Sequence, residues 1–155
     1  MTNLSYDVIT ALKGRKLATA ESCTGGGVGS ALTAVPGSSG VYVGGIISYT
    51  NAVKMNLLHV PASILESEGA VSGPVAEAMA AGARTALHAD IAVSVTGLAG
   101  PGGDAFGNPV GTVYIGYSDE CNTFSRKYLF PGDRADVREQ AIQAALQTIL
   151  DMIKR

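Results

Sequence analysis

Glycine in this chain gathers in short clusters, and two of them directly follow runs that read as strands. Leu17 to Ala20 leads into Glu21-Ser22-Cys23-Thr24-Gly25-Gly26-Gly27. Ile91 to Thr96, rich in β-branched residues, leads into Gly97-Leu98-Ala99-Gly100-Pro101-Gly102-Gly103. A strand that runs through glycines into a helix pattern is a joint of a layered α/β domain. In such domains ligands bind at the carboxyl ends of the strands. The glycine clusters are therefore both the folding signal and the place to look for chemistry.

The other segments fit that architecture. Leu4, Val8 and Leu12 recur every four residues before Gly14, a short helix with a glycine at its end. A helix follows the first glycine cluster to about Ala34. Val41 to Thr50 reads as a strand bent at Gly44-Gly45, and Asn51 as the cap of a helix carrying Val53, Lys54, Leu57 and Leu58. Pro61 opens another short helix. Ser72-Gly73-Pro74 opens a longer one, whose apolar face is mostly small (Ala78, Gly82, Ala83, Ala86) and should pack closely. Thr112 to Ser118 and Thr123 to Phe130 form a hairpin pair around residues 119–122. Asp133 or Gly132 caps a final helix with Val137, Ala141, Ala145, Leu146 and Ile149 in its stripe. Strands alternating with helices predict a mixed β-sheet covered on both faces.

Composition narrows the function classes. The chain has 155 residues, 46% hydrophobic and 15% charged, which suits one folded domain (1–155) and excludes a disordered chain. No apolar run approaches the roughly 18 residues of a membrane span. A net charge of −2 and no Trp argue against a nucleic-acid surface. Two cysteines, Cys23 and Cys121, make no disulfide framework. Neither they nor His59 and His88 show metal-ligand spacing, so no metal and no cofactor is expected. The first residues lack a signal-peptide core, and a reducing cytoplasm is the simplest compartment.

Four clusters can carry chemistry. Ser22 sits where a strand meets a helix. It can be a nucleophile on a tight turn with backbone N–H groups for an oxyanion, or an ordinary helix cap. A nucleophilic serine needs a base, and neither histidine is an obvious one. Lys54 can serve if burial lowers its pKa by about 3 units, with Tyr49 and Ser48 relaying or orienting the proton. By spacing alone a solvated lysine on a helix face is the better reading. The glycine loop after Thr96 suits a backbone nest for an anion, or is a long surface loop. Arg134, with Arg138 one turn later, can meet an anion at the helix start, or pair with Asp133, Asp136 or Glu139. Glu21 should point opposite to Ser22 and is given no catalytic role. Cys23 is an alternative nucleophile.

Taken together these motifs resemble the CinA carboxy-terminal domain family, the nicotinamide-nucleotide amidohydrolases. The resemblance runs through residues 20–26, Ser48-Tyr49-Thr50-Asn51 with Lys54, Gly69-Ala70-Val71-Ser72 and Gly82-Ala83-Arg84. It continues with Thr96 to Pro101, Pro109 to Val113 and Gly132-Asp133-Arg134. It implies a three-layer α/β/α sandwich that deamidates nicotinamide mononucleotide to nicotinate mononucleotide and ammonia. Ser22 is then the implied nucleophile and Lys54 its base, with Tyr49 and Ser39 in support. Thr24, Gly25, Gly26, Thr96, Gly100, Gly102 and Arg134 are implied around the substrate. A small-molecule nucleotide is the implied partner, and a homodimer the implied assembly. A non-catalytic nucleotide-binding module tied to competence or recombination is the alternative. Two departures are visible: Asn108 stands where the family commonly has a lysine, and the chain is too short for the amino-terminal molybdopterin-binding-type domain many relatives carry.

Overall fold

The computed structural model describes residues 3–153. In chain order the elements are α1 (Leu4–Ala11), β1 (Leu17–Glu21), α2 (Gly27–Thr33), a 3-10 turn (Ser38–Gly40), β2 (Tyr42–Ile47), α3 (Asn51–Leu58) and α4 (Ala62–Glu68). Then come α5 (Gly73–Ala86), β3 (Ile91–Gly97), β4 (Thr112–Ser118), β5 (Thr123–Leu129) and α6 (Arg134–Ile153). The strands form one sheet in the order β2-β1-β3-β4-β5. β2, β1 and β3 run parallel; β4 and β5 continue as an antiparallel meander. Helices α1, α2 and α6 pack together on one face, and α3, α4 and α5 on the other. The result is the expected α/β/α sandwich with a mixed sheet.

Side-chain size decides how far each layer stands from the sheet. Successive strand residues point to opposite faces. Leu17, Ile91, Val93, Val95, Ile115 and Tyr117 belong to the core under α1, α2 and α6. Ala18, Ala20 and Ala92 belong to the core under α5. Ser94 also faces α5 and donates to the Ala76 carbonyl at 2.6 Å. The small face of α5 thus meets a small face of the sheet, as its composition predicted. The same closeness extends to α3, because a Cβ at Gly82 would run into the Leu58 carbonyl.

Local geometry differs from expectation in two places. Thr50, not Asn51, caps α3: its hydroxyl accepts from the Val53 N–H at 3.3 Å. The irregularity in β2 is a bulge at Val43, since Leu17 pairs with Tyr42 and Ala18 with Gly44. At α6, Asp133 and Asp136 cap reciprocally, each carboxylate taking the other's backbone N–H at 3.0 Å.

The turn from β1 into α2 is held from beneath by Glu21. Its carboxylate is 2% exposed and accepts from the Thr24 hydroxyl (2.6 Å), the Val28 N–H (2.8 Å) and the Gly29 N–H (3.0 Å). A buried carboxylate at a helix start gains from unpaired N–H groups there. Gly25 (φ 58°) and Gly26 (φ 100°) let the chain reverse over it.

Two stability measurements check these contacts by urea unfolding. Gly82→Ala should gain about 1 kcal/mol from helix propensity alone. The Leu58 contact reverses the sign, and a net loss of about 1–3 kcal/mol is expected from overpacking. Glu21→Gln keeps the shape but turns an amide NH2 toward donors, and should cost about 1–3 kcal/mol.

Candidate active site

The three parallel strands deliver three loops to one end of the sheet. Ser22 follows β1, Ser48 to Thr50 follow β2, and the loop from Leu98 follows β3. Ser22 is still tied to the sheet, its N–H donating to the Val95 carbonyl at 3.0 Å, and Ser48 N–H donates to Glu21 at 2.7 Å. Between these loops lies a cavity of about 590 Å³.

At its base are Ser22 and Lys54. Lys54 occupies the middle of α3 and is 1% exposed; Ser22 is 8% exposed. The Lys54 Nζ lies 3.2 Å from Ser22 Oγ, 2.6 Å from the Ser48 carbonyl and 3.5 Å from the Tyr49 carbonyl. No carboxylate pairs with it among the described residues. Burial without a counter-charge pushes its pKa down to about 8. As a neutral amine, Lys54 has two N–H donors and one lone pair. Two carbonyls can take the donors, and the lone pair can face the serine hydroxyl.

Cys23 also lines the cavity, but burial raises its thiol to about 11, with Arg138 and a backbone N–H opposing more weakly. It stays protonated near neutral pH, and Lys54 contacts Ser22 instead. This disfavours the thiol as nucleophile. His59 and His88 are exposed and lie outside the cavity lining.

Several expected residues come together here. Thr96, Gly100, Gly102 and Arg134 line the cavity with Tyr49. The Thr96 hydroxyl is spent on the Ala70 carbonyl (2.7 Å), so it joins β3 to the segment before α5. Tyr49 contributes its carbonyl to Lys54 while its side chain is 63% exposed at the rim. Arg134 meets no carboxylate among the described residues; Nη1 donates to the Gly100 carbonyl at 2.7 Å. Asn108 supplies no charge, but its side-chain amide ties Asp104 (2.7 Å) to the Val71 carbonyl (3.2 Å) and so pins the glycine loop across the cavity.

Four expected residues fall outside the lining. Thr24 turns its hydroxyl down to Glu21, and Gly25 and Gly26 serve the chain reversal behind Ser22. Ser39 is exposed on the 3-10 turn before β2, at the end of the sheet away from Ser22, because β2 runs parallel to β1. Sequence reasoning missed Glu21 as the support of the turn. The signal was present: an acidic residue shortly before a glycine-rich helix start. It also missed Phe106, half-exposed in the cavity wall and packed against Gly69.

Comparison with known proteins places this geometry among relatives. A family model described as the CinA C-terminal domain matches residues 2–153. A CinA-like protein of Parasynechococcus marenigrum is 50% identical over 144 residues, 92% of this chain and 33% of that protein. The chain spans about a third of the length of the CinA-like relatives it matches. A Pseudomonas putida protein named nicotinamide-nucleotide amidohydrolase PncC is 46% identical over 137 residues, 88% of this chain and 86% of that protein. A CinA superfamily crystal structure from Escherichia coli superposes with a TM-score of 0.94 at 36% identity, covering 97% of this chain and 88% of that one. The Agrobacterium tumefaciens competence/damage-inducible protein gives 0.93 at 36% identity, covering 98% and 94%. The chain belongs to the CinA C-terminal domain family.

Proposed function

We propose that the cavity hydrolyses the carboxamide of nicotinamide mononucleotide, releasing ammonia and nicotinate mononucleotide. The observation that carries the reading is the buried, unpaired Lys54 amine 3.2 Å from Ser22 Oγ. The amidohydrolase name of the P. putida relative supports the substrate class.

The chemistry follows from the two groups. The Lys54 lone pair takes the Ser22 proton as Oγ bonds to the amide carbon. The carbonyl electrons move onto oxygen, where backbone N–H groups of the turn can hold them. The Lys54 ammonium then protonates the amide nitrogen, the C–N bond breaks and ammonia leaves. Water, deprotonated by the same amine, attacks the nicotinoyl ester and restores the Ser22 hydroxyl. The cationic pyridinium ring makes the carbonyl more electrophilic throughout. Arg134 and the N–H groups of Gly100, Gly102 and Gly103, which have no acceptor among the described residues, suit the phosphate. No metal or cofactor enters this scheme.

Ammonia release from nicotinamide mononucleotide tests the reading directly. Ser22→Ala and Lys54→Met should each lower kcat by at least about a thousandfold while the protein stays folded. Unimpaired turnover in Ser22→Ala would sink the assignment. Binding of the nucleotide by calorimetry with no ammonia over hours would make the cavity a nucleotide-binding module instead.

The pH profile is a second test. Only the neutral amine can act as base, so kcat/KM should fall about tenfold per pH unit below the Lys54 pKa of about 8 and level off above it. A profile flat from pH 6 to 9, by steady-state ammonia assay, would exclude Lys54 as the base.

A further inference from the structure

The turn that carries Ser22 is gripped from a distant element. Arg138, one turn into α6, donates from Nε to the Cys23 carbonyl (3.0 Å) and from Nη2 to the Thr24 carbonyl (3.2 Å). It makes no ion pair with a carboxylate among the described residues. Its planar fork spans two consecutive peptides, a geometry a lysine cannot reproduce.

The hydrogen bonds of the turn show what this grip controls. Ser22 C=O accepts the Gly25 N–H at 3.1 Å, and Thr24 C=O accepts the Gly27 N–H at 3.0 Å. Cys23 C=O has Arg138 as its hydrogen-bond partner. The Cys23–Thr24 peptide is the central peptide of the turn, and no other hydrogen bond holds it among the described residues. A trans peptide carries its N–H opposite its C=O. With its carbonyl drawn to Arg138, this peptide turns the Thr24 N–H away from α6. Among the described residues the Thr24 N–H has no acceptor, the Cys23 N–H faces its own sulfur, and the Gly25 N–H is already used. The conformation of the turn just after Ser22 thus depends on Arg138.

We propose that Arg138 is a positioning residue that fixes the Cys23–Thr24 peptide and, through it, holds the turn so that Ser22 Oγ stays against Lys54 Nζ. This rests on the amidohydrolase reading for its chemistry. Arg138 touches neither substrate nor reacting atoms in this scheme, so its loss acts on the transition state and leaves substrate binding alone.

The test compares wild type with Arg138→Ala in two ways. Steady-state deamidation of nicotinamide mononucleotide should show kcat lowered about 10–100-fold with KM within about twofold. Amide NMR spectra of the free protein should show the Cys23 and Thr24 resonances displaced, with those of Val93 and Val95 in β3 unmoved. Arg138→Lys should lie between the two, since one ammonium cannot hold both carbonyls. Wild-type kcat in a folded Arg138→Ala, a raised KM with kcat unchanged, or unmoved Cys23 and Thr24 amides would each overturn the proposal. If Arg138→Ala does not fold, Arg138→Gln is judged by the same criteria. If the wild type releases no ammonia, the amidohydrolase reading fails by itself, and the amide spectra alone decide whether Arg138 orders the turn.

Discussion

A lysine amine enclosed by protein with no negative charge beside it is the constraint on which this site depends. Removing an ammonium from water is costly, and burial draws the pKa of a group so placed down, here to about 8. The fold meets this with backbone rather than side chains: the Ser48 and Tyr49 carbonyls receive Lys54 where β2 gives way to α3. The remaining neighbour of the nitrogen is the Ser22 hydroxyl. A carboxylate at that point would raise the pKa and remove the base. Glu21 is close in sequence, but its charge is absorbed on the far side of the turn by Thr24, Val28 and Gly29.

Layer spacing makes this enclosure possible. Alanine and serine on the sheet face beneath α5 let that helix sit low, and Gly82 lets α3 close against it. Larger side chains on both surfaces would hold α3 away and leave the Lys54 stem in water. Most of the bulky residues of the sheet lie on the opposite face, beneath α1, α2 and α6. Sorting by size across the sheet therefore bears on the basicity of one amine.

Much of this was legible in the sequence, because periodicity and glycine placement report local geometry. The strand-to-glycine joints at residues 17–27 and 91–103, the small face of α5 and the hairpin around residues 119–122 all follow from such rules. What escaped was long-range. Spacing alone favoured a solvated Lys54, since the Ser22 turn that its amine meets lies 32 residues away in the chain. Arg138 was noted only as lying one turn after Arg134, because its partners are more than a hundred residues away. Ser39 entered only through resemblance, with nothing in its surroundings to place it near Ser22. Glu21 was read correctly as pointing away from Ser22, but that orientation was taken as absence of a role.

The reach of α6 carries one more consequence. Ser22 and Lys54 lie in the first 54 residues, yet Arg134 and Arg138, which hold the glycine loop and the serine turn, belong to the last helix. During synthesis the nucleophile and its amine would leave the ribosome well before these two guanidinium groups existed. A partly made chain would therefore hold the reactive pair without the brace around it, and competence would arrive late, as a property of the docked whole.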